Sequence, residues 1–166
     1  MTPFLLWPDK RLRTPAQEVD AVSDTERAIW ARMLEAMYAM PGVGLAAPQI
    51  GEPVRLAVVD CAEGGARAPL RLANPELLEA SEETRTHEEA SPNLPGVSAK
   101  VERPARVKVR FLGENGAETE EWFEGLWATS VQHQIDHLNG MVFIDRLSRV
   151  KRRMTLDRYA KLRKRT

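Results

Sequence analysis

Apolar residues recur with helical spacing towards the two ends of this chain and with strand-like spacing between them. That order of periods limits the possible folds more than any other feature. Ile29, Trp30, Met33, Leu34 and Met37 fall at three- and four-residue intervals and make one stripe, which reads as core rather than as a ligand box. Ser23-Asp24-Thr25-Glu26 before it is a capping box, the serine hydroxyl accepting from the Glu26 N–H while Glu26 reaches back, and Pro41-Gly42 ends the helix. Strand signals follow at 56–59 and 70–72, after which Ala73-Asn74-Pro75 is expected to turn the chain. Val107, Val109 and Phe111 alternate with Lys108 and Arg110 in a strand expected over 103–110, with one wet face. Gly113-Glu114-Asn115-Gly116 then reads as a hairpin turn into a strand over 120–124. Helical spacing returns over 126–138 with Gly140 as a left-handed stop, and a last helix is expected over about 150–164 with Ser148 near its N-cap. Strands gathered between helices, with little β-α-β alternation, indicate an α+β fold.

Length and composition remove most other classes. The chain has 166 residues, enough for one domain spanning 1–166. No apolar run approaches the roughly 18 residues of a membrane span. Residues 1–10 show no basic stretch followed by an apolar one, so no secretory signal is expected and the cytoplasm is the expected location. Cys61 is the only cysteine, which rules out an internal disulfide framework and leaves it as a small buried hydrophobe. The formal net charge is zero, yet 149–166 holds nine basic residues and one acid. A basic segment of about 148–166 on an acidic body suggests either an anionic partner such as RNA or a solvated face turned to its own body. Any packing of that helix is expected through Val150, Met154 and Tyr159.

Gln132-His133-Gln134-Ile135-Asp136-His137 carries the chemistry. Two histidines four apart on a helix lie one turn above the other and can grip one metal ion. Hydrolases of this pattern place Glu directly after the first His to move the protons of metal-bound water; here that position is Gln134, whose amide cannot act as a base. Gly42-Val43-Gly44-Leu45-Ala46-Ala47-Pro48-Gln49-Ile50-Gly51 adds a tight glycine loop and, in Gln49, an amide able to bind a carbonyl oxygen.

With the histidine helix and Gly140, this stretch resembles the peptide deformylase family, whose motifs read GxGLAAxQ, EGCLS and QHExDH. The first matches at Gly42, Gly44, Leu45, Ala46, Ala47 and Gln49, the third at Gln132, His133, Asp136 and His137. The likeness runs from Pro8-Asp9 and Leu12-Arg13 through 103–110 to the basic last helix. It implies antiparallel sheets around a central helix carrying the histidine pair, with a C-terminal helix outside. It also implies a cleft containing Gly42, Val43, Gly44, Leu45, Ser91 and His133, and peptides with an N-terminal formyl-Met as substrates. The ribosome is the partner it implies for the basic helix. The family holds iron, zinc or nickel through Cys and two His, with Gln and a backbone N–H on the oxyanion.

The middle motif departs from the pattern. Counting back from Pro95 and Arg103 sets EGCLS on Glu89-Ala90-Ser91-Pro92-Asn93. The metal-binding Cys becomes Ser91, whose hydroxyl binds such metals poorly; the oxyanion donor becomes Pro92, which has no N–H; the catalytic Glu becomes Gln134. The metal positions are then Ser91, His133 and His137, with at most a weakly bound divalent ion at the two histidines, and the catalytic positions are Gln134, Gln49 and Pro92. His87, Glu88 and Glu89 lie close enough in sequence to supply a replacement ligand, although His87 by itself reads as an exposed residue at a strand end. The resulting expectation is a deformylase relative that binds N-terminal Met peptides but is inactive or strongly impaired in removing formyl groups. Beside it stand a metal-dependent amide or formyl hydrolase with a remodelled site, and a ribosome- or RNA-associated protein using the basic helix.

Overall fold

In the computed structural model, which describes residues 4–165, helix α1 (Asp24–Ala39) forms over the expected stripe and its capping box is in place. Residues 1–3 and 166, the ends of the expected domain and of the basic segment, lie outside the described residues. Strands β1 (Gly44–Ala46), β2 (Leu56–Val59), β3 (Leu70–Ala80), β6 (Arg106–Leu112) and β7 (Glu118–Glu124) build one antiparallel sheet in the order β1-β2-β3-β6-β7. Between β3 and β6 the chain forms a separate hairpin of β4 (Thr84–Ala90) and β5 (Ser98–Pro104). Helices α2 (Gly125–Leu138) and α3 (Arg149–Lys164) complete the α+β fold.

The first strands are apolar on both faces because both faces are covered. Leu45, Leu56, Val58 and Ala73 pack under Trp30, Met33 and Met37 of α1. Their alternates Ala46, Ala57, Val59 and Leu72 pack under Ala128, Val131, Ile135 and Leu138 of α2. The sheet therefore lies between α1 and α2, and α2 is buried continuously from Ala128 to Leu138. A third cluster, with Leu94, Val101, Phe143, Ile144 and Tyr159, joins the hairpin to α3.

Three expectations need correction. Ala73-Asn74-Pro75 does not turn the chain: β3 runs on to Ala80, and Asn74 takes a positive φ of 49° within a register shift. Its side chain bonds both the N–H and the carbonyl of Val19, which holds the bulge open. The strand expected over 103–110 is two strands in different sheets, split at Ala105. Helix α3 begins at Ser148 as expected, with its hydroxyl accepting from the Lys151 N–H, but Val150 and Met154 remain 67% and 58% exposed. Packing falls to Tyr159, as expected, whose hydroxyl donates to the Trp7 carbonyl at 2.9 Å, and to Thr155 and Leu156 in place of the other two. Among the described residues, no helix is long and apolar enough to cross a membrane.

Candidate active site

Helix α2 buries a polar face as well as an apolar one, so each polar side chain on it needs a partner. Ser130 donates to the Val43 carbonyl at 3.1 Å, and Gln132 donates to the carbonyls of Pro104 and Ala128, both at 3.0 Å. Thr129 accepts from Arg85 at 2.9 Å. Asp136 accepts from Arg103 at 2.9 Å and takes a two-point contact from Arg146 at 2.7 and 3.0 Å. Arg103 also forks onto Glu89 at 2.6 and 2.9 Å, so one buried guanidinium bridges two buried carboxylates.

Glu89 completes the array by accepting from His133 Nδ1 at 2.8 Å. Burial alone would raise its carboxyl; the bonds from Arg103 and His133 outweigh that and hold it at about 2. The carboxylate takes the Nδ1 edge of the His133 ring and so turns Nε2 towards His137. That Nε2 lies 3.2 Å from Nε2 of His137. Burial, reinforced by the neighbouring His133 and Arg103, pushes the His137 imidazole well below its ordinary range and keeps it neutral.

A spacing of 3.2 Å suits an N–H···N bond, and it also suits two ligands of one tetrahedral ion, for which bonds near 2.05 Å give an edge of about 3.3 Å. His137 Nδ1 is buried without a partner among the described residues. The two imidazoles therefore fit a divalent ion. Among the described residues no group of three His, Cys, Asp or Glu converges on one point, so neither His87 nor Glu88 supplies a third ligand. Glu89 has a different task from the one expected: it orients His133 from behind.

Ser91 and Gln49 are brought together with Asn93. The Ser91 hydroxyl donates to Asn93 Oδ1 at 3.0 Å and accepts from the Asn93 N–H and from Gln49 Nε2, each at 3.3 Å, so its hydrogen-bonding capacity is filled. Gln49 accepts from the Ala46 N–H at 2.8 Å and donates to Asn93 Oδ1 at 2.7 Å. Asn93, fully buried, is the knot of this cluster, which the sequence reading did not identify; its occurrence next to Ser91 in a loop was the only available signal.

A cleft of about 830 Å³ opens along these groups. Gly42, Val43, Gly44, Ser91 and His133 line it as expected, as do Gln49, Pro92 and Gln134. Leu45 does not: it points to the α1 side of β1 and is buried there. His137 is likewise not exposed to the cleft and stands behind His133. A Cβ at Gly44 would come within 2.3 Å of Gln134 Nε2 and 2.4 Å of Ser130 Oγ, so both side chains would have to shift. Gln134 Nε2 donates to Ser130 at 3.4 Å, and its Oε1 is buried with no partner among the described residues. Sequence reading missed the contributions of Leu6, Thr129 and Leu126 to the walls. Cys61 is buried as expected, and burial pushes its thiol up to about 12, so it is inert.

Comparison with known proteins gives a consistent result. The family model for Polypeptide deformylase matches residues 1–153. A peptide deformylase of Phenylobacterium zucineum is 47% identical, covering 95% of this chain and 94% of its own. One of Rhizorhabdus wittichii is 48% identical, covering 95% and 92%. The crystal structure of peptide deformylase from Ehrlichia chaffeensis in complex with actinonin superposes with a TM-score of 0.89 at 34% identity, covering 98% of this chain and 97% of that one.

Proposed function

Because the chain belongs to the polypeptide deformylase family, we propose that it is a peptide deformylase, hydrolysing the formyl amide at the N-terminus of a peptide held in the cleft. This corrects the expectation, drawn from Ser91, Pro92 and Gln134, of an inactive or strongly impaired relative. Near full-length identity to proteins named peptide deformylase, and close likeness to one crystallised with actinonin, overturn it. The ribosome or RNA role expected for α3 has nothing behind it but the helix's charge.

The observation that carries the proposal is the pair of Nε2 atoms 3.2 Å apart, one of them belonging to a residue in the cleft wall. His133 and His137 would hold a divalent iron, zinc or nickel ion. Such an ion, when bound, polarises the formyl oxygen and makes a water nucleophilic near neutral pH. Glu89 keeps the His133 proton on Nδ1, so that Nε2 remains available. Gln134 lines the cleft beside His133, and its amide, unlike a carboxylate, takes no proton from the water, so its part is to position groups in the cleft. The Gln49 amide is fixed by Ala46 and Asn93, and its longer bond to Ser91 is the one a formyl oxygen would replace. Water adds to the formyl carbon, the C–N bond breaks, and both protons of the water end on the leaving nitrogen, giving formate and an ammonium terminus. The expected result is formate release from formyl-Met-Ala-Ser by protein loaded with one of the three metals, abolished in His133→Ala and in His137→Ala. No formate above the blank with any of these metals would overturn the proposal.

A further inference from the structure

On β4, His87 lies half-buried in mid-strand rather than exposed at its end, and Glu89, two positions on, is buried. From Glu89 a chain of bonded charges runs to the turn beyond α2. Glu89 Oε1 accepts from His133 Nδ1 at 2.8 Å and from Arg103 Nη2 at 2.9 Å, while its Oε2 accepts from Arg103 Nε at 2.6 Å. Arg103 Nη1 donates to Asp136 Oδ2 at 2.9 Å. Arg146, the last residue of the turn Phe143–Arg146, closes the chain, with Nη2 on Asp136 Oδ1 at 2.7 Å and Nε on Oδ2 at 3.0 Å. Asp136 Oδ1 has no other hydrogen-bond partner among the described residues. The Arg146 side chain is 44% exposed, whereas those of Arg103, Glu89 and Asp136 are 4%, 5% and 6% exposed, so Arg146 is the end of the chain that meets solvent.

We infer that Arg146 is a positioning residue for His133, acting through Asp136, Arg103 and Glu89, and that it thereby sets the affinity of the imidazole pair for a divalent ion. Without Arg146, Asp136 Oδ1 would be a buried charged oxygen with no donor, which is a costly state. The remaining guanidinium bonded to that carboxylate is Arg103, so the cost is relieved by Arg103 turning towards Asp136. That turn opens its two-point fork onto Glu89, whose planar match to the carboxylate fixes the plane of both groups. Glu89 held at one point no longer holds the His133 ring in one orientation. Groups that orient a metal ligand from behind are worth about ten- to a hundredfold in metal affinity. This inference rests on reading the two imidazoles as a metal site.

The test measures two quantities in the full chain near neutral pH. One is the zinc dissociation constant, by competition with a chromophoric chelator; the other is the solvent-exchange rate of the His133 Nδ1 proton in the metal-free protein, by NMR. Arg146→Met should weaken zinc binding by about tenfold and speed that exchange by about tenfold. Arg146→Lys, which keeps the charge but not the fork, should recover part of both. Asp145→Asn loosens the same turn without touching Asp136 and should change neither. Either quantity unchanged in Arg146→Met, or changed as much in Asp145→Asn, would overturn the inference. If the wild-type protein binds no zinc, the metal reading fails by itself, and the exchange rate alone decides whether Arg146 positions His133. Thermal melting checks folding; should Arg146→Met not fold, Arg146→Gln is measured in its place with the same outcomes.

Discussion

Arg103 is 4% exposed and pairs with two buried carboxylates, Glu89, for which it is the guanidinium partner, and Asp136, which it shares with Arg146. Removing one member of such an array leaves the others unpaired, which costs more than the array contributes when whole. Arg103→Met is therefore expected to lose about 3–5 kcal/mol of stability, read from urea unfolding at neutral pH. Gly44→Ala acts differently, since the atoms it would strike belong to side chains that can move. It should displace the Gln134 amide and depress deformylase turnover, with a stability loss of about 1–3 kcal/mol. Turnover unchanged in Gly44→Ala would remove Gln134 from the mechanism.

Among the elements, the short turn Phe143–Arg146 joins α2 to α3, and Asp145 within it accepts from Arg13 Nη2 at 2.9 Å and from the Val142 N–H at 2.9 Å. Burial raises this carboxyl, and the Arg13 bonds, the Val142 N–H and the charges of Arg13 and Arg152 outweigh that and hold it below its ordinary range. A carboxyl lowered on folding stabilises the folded state above its unfolded value of about 3.9, and the contribution disappears as pH falls through the folded value. The stability gap between wild type and Asp145→Asn should be about 1–2 kcal/mol at pH 7 and should close as the pH is lowered below about 4. Unfolding curves over that range check it. The bulge in β3 offers a second test. Asn74→Ala removes both bonds to Val19 and leaves a strained positive φ, so it should cost more than Asn74→Gly, which relieves the φ while losing the same bonds.

For the molecule as a whole, α3 contributes through contact as well as charge. Deleting the chain after Ser148 would expose the cluster around Val101, Phe143 and Ile144 and remove Tyr159 with its bond to Trp7. Loss of Tyr159 burial alone is worth about 1.5–3 kcal/mol, so the truncated chain should melt several degrees lower. An unchanged melting temperature would show that α3 is only a solvated appendage.

Local periodicity was sufficient for α1, α2 and α3, because each carries a signal at one end: the Ser23 cap, the Gly140 stop and the Ser148 cap. The two motifs likewise identified His133, His137 and Gln49 from neighbouring residues alone. The β4–β5 hairpin was not legible, because Thr-Arg-Thr-His-Glu-Glu has no apolar alternation. Its inward residues are polar, and two of them, Arg85 and Glu89, are matched to polar residues of α2 more than forty positions away. For the same reason Glu89 read as a spare ligand, while Arg103 and the fold make it the support behind His133. Which polar atoms have partners is decided only when distant segments meet, since a hydrogen bond depends on position in space and spacing along the chain does not fix it. So the chain's periods determined its helices and its two histidines, and the tertiary structure alone left His87 Nδ1, Gln134 Oε1 and His137 Nδ1 without partners among the described residues.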